Sequence, residues 1–189
     1  MFMRLAILAT VFGGLLSGCQ SGGGTLYGEN YQAFYSPSLV NYAAREGYMP
    51  VAVYGHPFGP NSGEQVASNL RMPGGHVQVP FAATPKAQSG EDGRVVLLFA
   101  GAGPAPGGDT LCRMTHDTPP AAARGGKLSV MAAFCHGDGL ASEVELVTAR
   151  PGSPADPAFK NAMQVMLSRL LPTHDPNRDS DCPSALTGC

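Results

Sequence analysis

The sequence predicts an α+β domain: a mostly antiparallel central sheet with helices packed on one face, stapled by disulfides. Three observations predict the architecture. Apolar β-type runs cluster in the centre of the chain, at residues 94–100, 127–135 and 143–149, with no helix pattern alternating between them. Helix patterns lie outside that cluster, at 36–47, 62–71 and 156–171. Hydrophobic residues make up 43 % of the chain and charged residues 14 %, a balance that builds a core rather than a disordered chain.

Taken in order, Ser36-Pro37 suits a helix start, with Ser as cap and Pro in the first turn. Leu39, Val40, Ala43 and Ala44 give that helix one apolar side, and Gly47 ends it. Met49–Tyr54 reads as a short strand stopped by Gly55 and Pro57. Ser62-x-x-Gln65 has the spacing of a capping box for a helix through Arg71. Val77–Ala83 alternates as a strand. Arg94–Ala100 contains Val95-Val96-Leu97-Leu98-Phe99, continuously apolar, as in a strand buried on both faces. Leu111–Met114 reads as a short strand after the loop Gly101–Asp109. Lys127–Cys135 and Glu143–Ala149 are further strands, with Gly137-Asp138-Gly139 turning between them. Asp156-Pro157 opens a helix through Leu171, its apolar side carrying Phe159, Met163, Val165, Met166, Leu167, Leu170 and Leu171, and Pro172 closes it.

The formal net charge is −2, or −3 without Arg4, the only charge in residues 1–18. Basic clustering is absent, which argues against nucleic acid as a partner. The chain holds 25 Gly and 17 Pro, which sets a high loop content.

The N-terminus carries the most specific signal. Met1–Arg4 is a short positive segment and Leu5–Leu16 an apolar stretch of twelve residues. That length suits a signal peptide and is too short for a membrane-spanning helix. It ends in Leu16-Ser17-Gly18-Cys19. This tetrapeptide resembles the lipobox of bacterial prolipoproteins, in which a branched aliphatic residue and two small residues precede a cysteine. The resemblance implies cleavage after Gly18, a thioether-linked diacylglyceryl group on Cys19 and acylation, typically with palmitate, of the new amine. Thiolate nucleophilicity is the reason a cysteine stands there. Each buried methylene adds about 0.8 kcal/mol, so several acyl chains anchor stably where one is marginal. Gln20 in place of Asp implies, by the sorting rule of such lipoproteins, the outer membrane facing the periplasm. The expected organisation is a signal peptide at 1–18, lipidated Cys19 with a flexible Ser-Gly-Gly-Gly tether to residue 28, one α+β domain at 29–172, and a polar disulfide-closed tail at 173–189.

Four further cysteines, Cys112, Cys135, Cys182 and Cys189, form an even set that favours disulfides in an exported chain. Three pairings are open, and the most local joins Cys112 to Cys135 and Cys182 to Cys189. Zinc is the competing use, through Cys112, His116, Cys135 and His136. Adjacent Cys and His on a strand point to opposite faces, which makes them a poor pair of ligands.

Other motifs fall short of a chemistry. The Gly-rich run 101–108 after a strand is similar to a dinucleotide-binding turn, yet two prolines break the spacing and a strand rather than a helix is expected next. Asp175, Asn177, Asp179 and Asp181 alternate oxygen donors as in the start of an EF-hand loop. Ser180 then replaces the required Gly, and Leu186 the bidentate Glu. His56, His76, His116, His136 and His174 are scattered. Common hydrolase motifs are absent, and no cofactor is implied. Ala133–Asp138 and Leu170-Leu171-Pro172 resemble segments of small proteobacterial envelope lipoproteins, a resemblance that implies no activity. The expectation is therefore a non-enzymatic interaction or assembly module that binds an envelope protein, with Tyr42–Phe58 as contact surface because Tyr, Phe and Met favour interface cores. The alternative is a periplasmic small-ligand or metal-binding protein. An enzyme would require His with Asp or Ser converging in a cleft.

Overall fold

A computed structural model of the chain describes residues 24–84, 93–100, 106–115 and 126–179. The elements are β1 (Thr25–Tyr31), α1 (Pro37–Ala43), β2 (Met49–Tyr54), α2 (Ser62–Asn69), β3 (Phe81–Ala83), β4 (Gly93–Ala100), α3 (Gly108–Cys112), β5 (Lys127–His136), β6 (Gly139–Ala149), α4 (Pro157–Leu170) and α5 (Pro176–Asp179). The six strands form one sheet in the order β1-β6-β5-β4-β2-β3. The α+β class is therefore correct, and the sheet is mixed. Strands β1, β6, β5 and β4 pair antiparallel, while β2 pairs parallel with both β4 and β3.

Burial on both faces explains the long apolar runs. On one face Val51, Val53, Val95, Leu97, Phe99, Val130, Ala132 and Phe134 pack under α1, α2 and α4. On the other face Tyr54, Val96, Leu98, Met131, Ala133 and Cys135 pack with Leu111 and Cys112 of α3. The expectation of helices on one face thus holds for three helices and fails for α3. The predicted strand at Leu111–Met114 is this helix instead. Its four residues, with Arg113 interrupting the apolar ones, are too few to reveal a period, and burial against β5 decides the conformation. Cys112 and Cys135, both fully buried, form a disulfide that ties α3 to β5, with Cα atoms 5.6 Å apart. Cys182 and Cys189 lie outside the described residues.

Local expectations changed in five further places. Strand β6 starts at Gly139, in the expected turn, rather than at Glu143, because its pairing with β5 continues to His136. Residues 25–28, read as tether, begin β1, an edge strand whose register breaks between Tyr27 and Asn30. Only Phe81–Ala83 of the expected strand 77–83 pairs with β2. Ser62 is the first helical residue of α2 rather than its cap. Asn61 takes the cap position in the left-handed region with no side-chain capping bond, and the buried Ser62 hydroxyl has no partner. Val165 is exposed, off the buried stripe of α4. By contrast Asp156 caps α4 as predicted, accepting from the Ala158 amide at 2.9 Å.

Tyr35 closes one end of the main core. Its hydroxyl donates to Pro172 O at 2.7 Å, and its ring meets Tyr31 and Phe134 edge-on. Burial, then the neighbouring Tyr31 and Asp175, hold this phenol well above its ordinary pKa. Burial and Glu29 raise Tyr31 too. Below the ordinary tyrosine value of 10.0 both folded and unfolded chains keep these protons, and the stability is fully present. Above it the unfolded chain releases protons that the folded chain retains, so stability falls as pH rises. We expect the urea midpoint to fall as pH rises from about 10 to about 11, and Tyr35→Phe to flatten that fall while costing about 1–2 kcal/mol at pH 8. An unchanged slope in the variant would show that Tyr35 is not the source.

Candidate functional site

The sheet has two distinct ends, and each carries a concavity. At the first end lie the start of β4, the β5–β6 turn and the start of β2, because Gly93 pairs with His136 and His136 with Gly139. At the second lie the carboxyl ends of β2, β3 and β4 and the start of β1, because Thr25 pairs with Val147 and Lys127 with Ala149.

The groove at the first end has a volume of about 620 Å³ and is lined by Leu39 and Tyr42 of α1 and by His136 and Gly137. Gly137 adopts φ 59°, which lets the hairpin reverse in a tight turn. The turn is held from beneath by Arg94, nine-tenths buried, which donates to Gly137 O at 2.9 Å and also to Cys112 O. Phe34, half exposed, lies against Gly139, two residues beyond Gly137 in the same hairpin. Tyr42 is equally exposed, and the Arg45 guanidinium stacks 4.1 Å above its ring, an arrangement that holds the ring in place while leaving it accessible. Of the expected contact stretch 42–58, the strand Met49–Tyr54 is core, with only Pro50 partly exposed. Phe58 is half-buried against Phe159, and only Tyr42 and Tyr48 remain as exposed aromatics. The aromatic surface is thus shifted toward Phe34, which sequence reasoning missed because Phe34 lies in an irregular segment with no period.

The cavity at the second end has a volume of about 360 Å³ and is lined by Val53, His56, Asn61, Gly63, Glu64, Ala83 and Thr84. Gly55 begins it: a Cβ there would sit 2.2 Å from Phe99 O, so only glycine lets β2 end against β4. His56 and Asn61 follow with φ 33° and φ 63°, conformations that cost on the order of 1–3 kcal/mol each and concentrate at functional sites. Glu64 stands in the first turn of α2, where its charge complements the helix dipole.

The remaining sequence-predicted residues are placed elsewhere. Asp175 accepts from the Asn177 amide at 3.0 Å and pairs with Arg178 at 3.4 Å, starting the short helix α5. Asn177 donates to Gln32 O at 2.8 Å. Asp179 ends α5, and Asp181 and Cys19 lie outside the described residues. Among the described residues, no group of three or more His, Cys, Asp or Glu side chains converges as a metal site, and no helix is long and apolar enough to cross a membrane. Residues 101–105 of the Gly-rich run are not described, and a helix, α3, does follow them. With five residues, it is too short to contribute a developed dipole to phosphate binding. Comparison with known proteins found no matching family model, no matching curated sequence and no matching solved structure, so the functional reading rests on this chain's own residues.

Proposed function

We propose that this chain is a lipid-anchored envelope protein that works by binding, holding its groove of exposed aromatic side chains away from the membrane toward a protein partner. The observation that carries the reading is the polarity of β1. Thr25 lies at the second end of the sheet, and the groove lined by Tyr42, with Phe34 beside the same hairpin, lies at the first. Five residues lie between Cys19 and Thr25, a reach of at most about 20 Å from the lipid. Strand β5, ten residues long, then carries the structure a further 30 Å or so to the groove. A protein tethered in this way keeps the second end near the bilayer and presents Phe34 and Tyr42 outward. The groove's chemistry suits an apolar side chain on a partner segment running past the Gly137 turn. Its aromatic rims supply contact area, and the turn backbone supplies hydrogen-bonding groups. The same envelope location explains the cysteine usage: Cys112–Cys135 staples the body, and Cys182 with Cys189 would close the tail.

Two measurements test this reading. Membrane fractions should hold the wild-type chain, while Cys19→Ala should leave the membrane fraction almost completely, because lipid is the only anchor in the proposal. A photo-crosslinker at Tyr42 should capture one envelope protein, identified by mass spectrometry, and Phe34→Ser should abolish that adduct without changing the melting temperature. Retention of Cys19→Ala in the membrane would refute the anchor. An adduct insensitive to Phe34 would refute the groove.

A further inference from the structure

The cavity at the second end has no role in the reading above. We propose that it binds a neutral, hydroxyl-rich small molecule of about the size of one sugar ring. The proposal depends neither on the lipid anchor nor on the aromatic groove.

The topology makes this place a site. Strands β3, β2 and β4 run parallel, and ligands in such sheets bind outside the carboxyl ends of the strands. Here the connection from β2 leads directly into α2, whose first turn closes the cavity on its far side. The cavity lies just outside the carboxyl ends of β2 and β3, with Val53 and Ala83 as its apolar wall and Thr84 directly after β3. Its 360 Å³ falls within the lower range for small-molecule pockets. Two of its polar lining residues, His56 and Asn61, hold left-handed backbone.

The lining selects the ligand class. Asn61 and Thr84 can each donate and accept, His56 offers its ring nitrogens, and Glu64 accepts. A hydroxyl both donates and accepts, so several adjacent hydroxyls match this set. An anion is disfavoured because Glu64 already occupies the positive end of α2. A cation would meet one carboxylate and no aromatic face among the lining residues. For a metal ion the described lining offers only His56 and Glu64, fewer ligands than a protein-held site uses. Val53 and Ala83 then pack against the C–H face that a sugar ring presents beside its hydroxyls.

Saturation-transfer NMR on the full chain tests the proposal, with glucose and N-acetylglucosamine as hydroxyl-bearing probes and putrescine and methylphosphonate as charged ones. We expect transfer to at least one sugar, little to the charged probes, and a loss of about tenfold in affinity in Glu64→Ala and in Thr84→Val. Glu64 is exposed, so its variant keeps the fold, which a thermal melt verifies. Glu64→Gln, which retains one acceptor oxygen, should lose less. Transfer to neither sugar, transfer confined to a charged probe, or sugar signals unchanged in both variants would each overturn the assignment.

Discussion

Phe159→Ala is expected to destabilise the domain by about 3–5 kcal/mol, the usual cost of emptying a fully buried aromatic site. Phe159 is 1 % exposed on the inner stripe of α4. Its ring meets Phe58 edge-on with centroids 5.4 Å apart and stacks against Phe99 at 6.4 Å. One side chain therefore joins three parts of the fold: the loop after β2, the end of β4 and the longest helix among the described residues. Truncation leaves a void that α4 cannot close without losing Met163 and Met166, which sit one and two turns further along the same stripe. The melting temperature should fall by about 10 °C or more. Val165→Ala on the exposed side of the same helix is the control, with an expected change within about 0.5 kcal/mol. Equal effects for the two variants would mean that α4 does not pack as described.

Removing the bridge with Cys112→Ala and Cys135→Ala should cost about 3 kcal/mol. The bridged cysteines are 23 residues apart, and loop-closure entropy for that length gives this magnitude. The consequence is local as well as global. Helix α3 has five residues, no side-chain cap and few ways to stay on the sheet: Leu111 in the second core, the Gly108 amide donating to Glu143 at 2.6 Å, and Arg94 donating to Cys112 O. Without the bridge, hydrogen exchange should rise in 108–114 before it rises in β5. A reductant should act slowly on the folded protein, because both cysteines are fully buried, and should lower the melting temperature by about 6–12 °C once unfolding exposes the bond. Uniform exchange across α3 and β5 in the double variant would show that the bridge does not hold α3 in particular.

How much of this was legible in the sequence varies by element. Strand β2 was predicted to the residue and β4 and β5 to within one, because an apolar run between a turn and a proline or glycine has one economical reading. Helix α4 was equally clear, since it has a cap, a proline in its first turn and a four-turn stripe. Strand β1 was missed because an edge strand exposes most of its side chains and therefore shows little apolar pattern. Helix α3 was misread because five residues do not complete two turns. Of the two concavities, the sequence pointed to Tyr42 but not Phe34, and it gave no reason to place Glu64 beside Thr84.

By itself, then, the sequence determined the class of the fold, its main core strands and the long helix, together with an N-terminal motif that directs the reading toward the envelope, while the Cys112–Cys135 pairing came from the structure. These are local or periodic properties, written in short windows of chain. Strand order, the parallel pairing of β2 with β3 and β4, the far-side position of α3 and the separation of Thr25 from the Phe34–Tyr42 groove were decided only by the tertiary structure. Each depends on which distant segments share a hydrogen-bonded edge or a buried face, and residues brought together across about 20 to 140 positions, such as Glu64 and Thr84 around one cavity or Tyr35 bonded to Pro172, leave no spacing in the chain from which their meeting can be read.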